Sequence, residues 1–160
     1  MSSRVSLAVA TALGVGYVPF APGTFGSLAG LAVFVAVRAV AGRLGMPWLD
    51  LVAIVVVYLL GVWAATAAES HFGHIDPGPV VIDEVLGMLV TLACVPVSVT
   101  GALVGFVLFR IFDVIKPPPC NRLEALPGGW GVMSDDLMAA IYAYACVQGL
   151  AWVAPAWMLA

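Results

Sequence analysis

Residues 85–109 read VLGMLVTLACVPVSVTGALVGFVLF, an uncharged stretch long enough for one tilted membrane helix but with Pro96 and Gly101 near its middle. A single helix would put Asp83 and Asp113, just outside its two ends, on opposite faces of a bilayer. A hairpin turning at Pro96 to Gly101 would return both to one face. The fold depends on that choice, because the composition already demands a membrane: 63 % of the 160 residues are apolar and 9 % charged, against roughly 45–50 % and about 25 % in a soluble domain. A soluble monomer and a disordered chain are excluded. So is a nucleic-acid binder, since the net charge is −3 and no basic tract could neutralise a run of phosphates. The length fits one domain, residues 1–160.

Three other apolar runs flank the deciding one. Val5 to Val37 carries no charge, but Gly14 to Gly26 reads GVGYVPFAPGTFG, a series of prolines and glycines that no continuous helix accepts. The run therefore splits into Val5 to Leu13, too short to span and expected at the interface or dipping partway in, and Phe25 to Val40, which crosses. Arg4 alone is no signal-peptide n-region, so the segment is expected to stay in the mature chain. Leu51 to Ala68 crosses cleanly, and Leu137 to Ala160 crosses with Pro155 loosening its end.

Counting passes from the Gly14 to Gly26 side favours the hairpin. Phe25 to Val40 leaves that side, Arg43 to Asp50 forms the far loop, and Leu51 to Ala68 brings back Glu69, Asp76, Asp83 and Glu84. A hairpin then returns Arg110, Asp113, Lys116 and Asp135 to the same face. Most acids and half the bases can pair there instead of standing alone near lipid. Each arm would be short, roughly 24 Å at 1.5 Å per residue, so the charged ends should sink slightly below the membrane surface. The predicted fold is all-α: a polytopic membrane bundle with an interfacial or re-entrant N-terminal segment and a short helical hairpin. Arg110, Lys116 and Arg122 on the near side against Arg38 and Arg43 on the far side lean toward a cytoplasmic near face. Cys94, Cys120 and Cys146 show neither CxxC spacing nor an even count and read as buried free thiols.

Four clusters hold the groups capable of chemistry. Ala21 to Ser27 is a turn running into a helix, whose free N–H groups and two hydroxyls, Thr24 and Ser27, suit either an anion cradle or a plain N-cap. Asp76 to Glu84, DPGPVVIDE, is a turn followed by two adjacent acids, more than a helix start requires and of the kind Mg²⁺ selects. Arg110, Asp113 and Lys116 stand at i, i+3, i+6, fit for a structural salt bridge or for gripping a phosphate. Gly128 to Asp136, GGWGVMSDD, puts Ser134 before two acids, which is also an ordinary N-cap with an acidic first turn. Anion donors, paired carboxylates and cations gathered on one face suggest metal-assisted chemistry on a phosphate.

Other phosphatase chemistries lack their residues. No cysteine precedes an arginine by six positions, no Asp-x-Asp pair occurs, and no Ser-Gly-His or Asp-Gly-x-x-Ala-Arg element is present. His71 and His74 read as surface residues of the near loop. A small cation channel or transporter with an acidic pathway is the competing function, but it gives Arg110 and Lys116 no reason to stand among the acids.

These stretches, APGTFGSL at 21–28, DPGPVVIDEVLGM at 76–88, FRIFDVIKP at 109–117 and GGWGVMSDD at 128–136, occur in an order that resembles the phosphatidylglycerophosphatase A family, small integral-membrane phosphatases of bacterial glycerophospholipid synthesis. The resemblance covers roughly residues 14–140. It implies Mg²⁺-dependent hydrolysis of the terminal phosphomonoester of phosphatidylglycerophosphate at the cytoplasmic face of the bacterial inner membrane, by a multi-pass protein whose partners are its lipid substrate and the surrounding membrane lipids. Carried onto this chain, it makes Asp76, Asp83, Glu84, Asp135 and Asp136 the candidate Mg²⁺ ligands. Asp83, Glu84, Arg110, Asp113 and Asp136 are the candidate catalytic set. Thr24, Gly26, Ser27, Arg110 and Lys116 are expected to hold the phosphate. Trp130, where an aliphatic residue is usual, departs from the pattern and is expected to shape the path of the lipid.

Overall fold

Pro96 does break the deciding stretch. In the computed structural model, which describes residues 4–160, helix α4 (Ile82–Thr91) ends just before it and α5 (Val99–Ile115) begins just after it. Proline has no N–H for a helical bond, and Ser98 caps the next helix by accepting from the Gly101 N–H at 3.0 Å. The arms are unequal, a correction to the two of about 24 Å expected: α4 spans only about 15 Å and α5 about 25 Å at 1.5 Å per residue. The shorter arm cannot cross a bilayer, and α5, with 17 residues, stands at the lower edge of the length that can.

Three longer helices are apolar enough to cross: α2 (Pro22–Leu44), α3 (Leu49–Phe72) and α7 (Gly129–Val153). All three start earlier than expected, α3 by only two residues. Pro22 opens α2, where a missing N–H costs nothing. The last crossing runs from Gly129 to Val153 instead of from Leu137 to Ala160, so the GGWGVMSDD segment is helix, and Pro155 begins a separate turn, α8 (Pro155–Met158). The remaining elements are α1 (Arg4–Ala10), a 3-10 turn at Val15–Tyr17 and the single turn α6 (Cys120–Leu123); no strand occurs among the described residues.

The interior is built on small residues. Ala64, Ala65 and Ala68 of α3 are fully buried beneath α1, and Ala139, Ala140 and Ala143 of α7 beneath α4 and α5. On α2 a Cβ at Gly26 would stand 2.7 Å from the Val81 Cβ, and one at Gly30 would stand 2.9 Å from the Met88 Cβ. Helices in lipid associate largely by such close packing, because lipid is as apolar as leucine. Large apolar side chains instead point outward, as with Leu59, Trp63, Leu103, Trp152 and Trp157.

Hairpin and crossings are tied together at the far end. Asp50, at the start of α3, is 2 % exposed. It accepts from Arg38 at 3.0 Å and from the Cys94 N–H at 3.3 Å. The C-terminal turn closes over the hairpin bend: Ser98 donates from its N–H to the Met158 carbonyl and from its hydroxyl to that of Trp157, at 2.9 and 2.6 Å. The three cysteines are free as expected, but Cys94 is exposed on this bend; only Cys120 is buried outright.

Candidate active site

Four chain segments meet at the near end around a pocket of about 390 Å³. Ala21, Pro22 and Gly23 enter from the start of α2, Asp76 and Gly78 from the turn before α4, and Asp83 and Glu84 from the first turn of α4. Arg110, Asp113 and Lys116 come from the end of α5, and Asp135 and Asp136 from α7. The site lies below the near ends of the longer helices. Ser134, beside the two α7 acids, bonds Tyr58 at 2.9 Å, midway along α3, whereas Gly129 donates to Thr66 at 2.8 Å nearer its end.

Local sequence explains each placement. Asp76 takes a left-handed φ of 46°, which aspartate tolerates better than most residues, and Val80 closes the Pro-Gly-Pro turn with a 2.8 Å bond to the Pro77 carbonyl. Asp83 and Glu84 then occupy the positive end of α4. Gly23 gives them room: a Cβ there would collide with Glu84 Oε1 and stand 2.9 Å from both terminal guanidinium nitrogens of Arg110.

The carboxylates divide into two kinds. One oxygen each from Asp83, Glu84 and Asp136 lies within 4.8 Å of the other two. Asp83 Oδ1, Glu84 Oε2 and Asp136 Oδ2 are buried without a hydrogen-bond partner. Three acids crowded in a low-dielectric site repel one another, and only Glu84 has a base beside it, Arg110 at 3.5 Å. The set fits a hard divalent cation such as Mg²⁺, which takes oxygen ligands. Of the others, Asp113 and Asp135 are paired with bases, and Asp76 belongs to neither group. Asp113 meets Arg110 at 2.6 Å, one turn away on α5, while Glu84 Oε1 reaches the same nitrogen at 3.5 Å. Asp135 bonds Lys116 at 2.6 Å and turns its second oxygen to the Asp136 N–H at 2.9 Å. Burial works against the charge on Lys116, but the hydrogen bond and charge of Asp135, helped by Glu124 at 3.3 Å, raise its pKa above the ordinary lysine value. Lys116 is held there by a left-handed C-cap, φ 46°.

Several sequence candidates stand elsewhere. Thr24, Gly26 and Ser27 do not line the pocket. Ser27 is buried and donates back to the Gly23 carbonyl at 2.9 Å, and the Thr24 and Phe25 N–H groups both go to the Ala21 carbonyl. Gly26 lies under Val81, and Thr24 faces a neighbouring apolar groove. Asp135 is a partner of Lys116 and lies outside the acidic triad; Asp76 lines the pocket, also outside it. Trp130 packs edge-on against Tyr58, 5.8 Å between ring centres, in a groove along α3 away from the pocket. His71 and His74 are exposed, as expected. Sequence reasoning missed Glu124, the second acid on Lys116, whose only signal was a single acid two residues after Arg122 in the segment that follows three prolines.

A family model described as phosphatidylglycerophosphatase A matches residues 8–151. The chain belongs to the phosphatidylglycerophosphatase A family. It is 36 % identical to the phosphatidylglycerophosphatase A of Haemophilus influenzae, over 94 % of this chain and 89 % of that protein. With the Escherichia coli protein of the same name it shares 34 % identity over 83 % of this chain and 76 % of that one. It is also 34 % identical to a Bacteroides thetaiotaomicron protein provisionally named a phosphatidylinositol-3-phosphatase, over 94 % of this chain and 96 % of that protein. No solved structure matches. As a member of the phosphatidylglycerophosphatase A family, the chain is a lipid phosphatase with membrane-spanning helices, and its charged pocket is the candidate for that chemistry.

Proposed function

We propose that this protein hydrolyses the terminal phosphomonoester of phosphatidylglycerophosphate to phosphatidylglycerol and inorganic phosphate, with Mg²⁺, at the cytoplasmic face of a bacterial inner membrane. The observation that carries the reading is the buried triad Asp83, Glu84 and Asp136, with its unpartnered oxygens, set in one pocket with Arg110 and Lys116. The triad would hold Mg²⁺, which when bound supplies positive charge to the phosphate and its leaving oxygen. Arg110 binds the phosphate through its planar donors, kept in place by Asp113. Lys116, at the end of the same helix, adds a point charge, steered by Asp135 and Glu124. Both bases oppose the increase of negative charge as the phosphoryl group transfers.

Neither cysteine nor histidine lines the pocket, which favours direct attack by water; an aspartyl-phosphate on Asp83 or Asp113 is the alternative, and oxygen-18 carried into the recovered protein would expose it. The proton of the attacking water needs a base. Of the six pocket carboxylates, three form the triad and two are paired with Arg110 and Lys116, leaving Asp76 for that role. The bond to the headgroup glycerol then breaks and the departing oxygen takes up a proton. A cation pathway fits less well, since Arg110 and Lys116 would repel the ion exactly where the acids gather it.

Purified protein in detergent tests the assignment. Phosphate release from phosphatidylglycerophosphate should require Mg²⁺ and exceed release from phosphatidylinositol 3-phosphate, the lipid in the name of the Bacteroides relative. No release with Mg²⁺ present would end the reading, and a preference for the inositol lipid would redirect it.

A further inference from the structure

Arg110 and Val114 line the charged pocket and also a second depression of about 440 Å³ between α2 and α5. Its other walls include Phe106, Val107 and Ile111 of α5 and a single hydroxyl residue, Thr24 of α2. Val107 and Val114 are 53 % and 74 % exposed, so the depression opens outward from the bundle. Three other apolar depressions, around Val33 and Val57, around Leu7 and Tyr17, and around Trp63 and Trp130, share no lining residue with the pocket.

Resting on the lipid phosphatase reading above, we infer that the α2–α5 depression is the acyl-chain subsite, through which the lipid reaches the pocket sideways from the bilayer. A molecule with a phosphate in the pocket and an apolar tail must lead its tail out where charged wall gives way to apolar wall. Arg110 and Val114, one turn apart on α5, are that junction. Arg110 serves both surfaces, its stem covering the groove while its guanidinium stays among the acids. Thr24 stands at the same boundary, half-buried. Its hydroxyl makes no hydrogen bond within the protein, unlike that of Ser27, and is free for the ester oxygens between headgroup and acyl chain. The placement gives Thr24 a part in binding lipid while leaving it outside the phosphate pocket.

The probe is a non-hydrolysable phosphonate analogue of phosphatidylglycerophosphate carrying a diazirine on one acyl chain, photolysed with the protein in phosphatidylcholine nanodiscs. Labelling should concentrate on residues 106–115 and fall at least tenfold with excess unlabelled analogue. It should fall at least fivefold in Val107→Trp, which fills the groove, and hold in Val33→Trp, which fills a groove not joined to the pocket. Labelling spread over all apolar faces, centred on Val33 and Val57, or directed to a second copy of the chain would overturn the inference. Turnover adds an independent reading: in Val107→Trp the kcat/KM ratio of the dioleoyl substrate to its deacylated, water-soluble headgroup ester should drop at least tenfold. An unchanged ratio would also overturn it. Failure of the phosphatase reading would show differently, as wild-type protein releasing no phosphate from either ester while the labelling map still reports the groove.

Discussion

At the residue scale the acidic triad sets function against stability. Asp83 and Asp136 are 7 % and 4 % exposed, and each leaves an oxygen unpartnered. Asp83→Asn and Asp136→Asn should therefore each lower phosphate release by at least a hundredfold, because an amide is neutral and a poor ligand for a hard cation. Full activity in both would refute the triad. The same changes should raise the melting temperature measured in detergent with EDTA, since each removes a buried charge crowded by others. Saturating Mg²⁺ at about 100 times its Kd should stabilise the wild type by about 2.7 kcal/mol and both variants by much less; equal stabilisation of all three would mean that the ion binds elsewhere. These acids were legible in the sequence because charges entering an apolar helix need a reason. Thr24 and Ser27 were less so: a hydroxyl near a helix start can cap it, cradle an anion or bond back to the carbonyl four residues earlier. Only packing decides, and here burial against α4 turned Ser27 back onto Gly23.

At the element scale the spacing between α2 and α4 aligns the two halves of the pocket. Gly26→Ala would push a Cβ to 2.7 Å from the Val81 Cβ, with backbone and Glu84 close behind. It should cost about 1–3 kcal/mol and reduce turnover as α2 and Gly23 move away from Glu84 and Arg110. Gly42→Ala, on the same helix with open space around it, should leave turnover unchanged and gain up to about 1 kcal/mol from helix propensity. Thermal melts and phosphate release on the two variants give the comparison, and equal behaviour would show that the glycine packing is irrelevant. The hairpin was readable from Pro96, yet the start of α7 was not. Gly128, Gly129 and Ser134 carry the marks of a loop and a cap, but Gly129 sits where a Cβ would collide with the Val62 carbonyl of α3. Its smallness serves helix contact, so the helix begins well before the acids and carries them inward.

For the whole molecule, the rare charges divide between two ends. Asp50 with Arg38 holds the far end, and every other acid belongs to the near end, where the pocket lies. The short α4 makes this possible. A continuous helix over residues 85–109 would take Arg110, Asp113 and Lys116 to the far side and divide the pocket between two aqueous compartments. The arrangement can be checked in sealed vesicles with an impermeant maleimide, after replacing the free thiols Cys94, Cys120 and Cys146 by serine. Single cysteines at the exposed positions His74 and Leu126 should label from the same side, and one at Met46, in the loop between α2 and α3, from the other. If His74→Cys and Leu126→Cys label from opposite sides, the hairpin is wrong and the triad cannot share a pocket with Lys116. If both label with Met46→Cys, α3 does not cross. The expected pattern leaves one compartment supplying water and receiving phosphate while the lipid stays in the bilayer, the separation that hydrolysis of a membrane-anchored phosphomonoester requires.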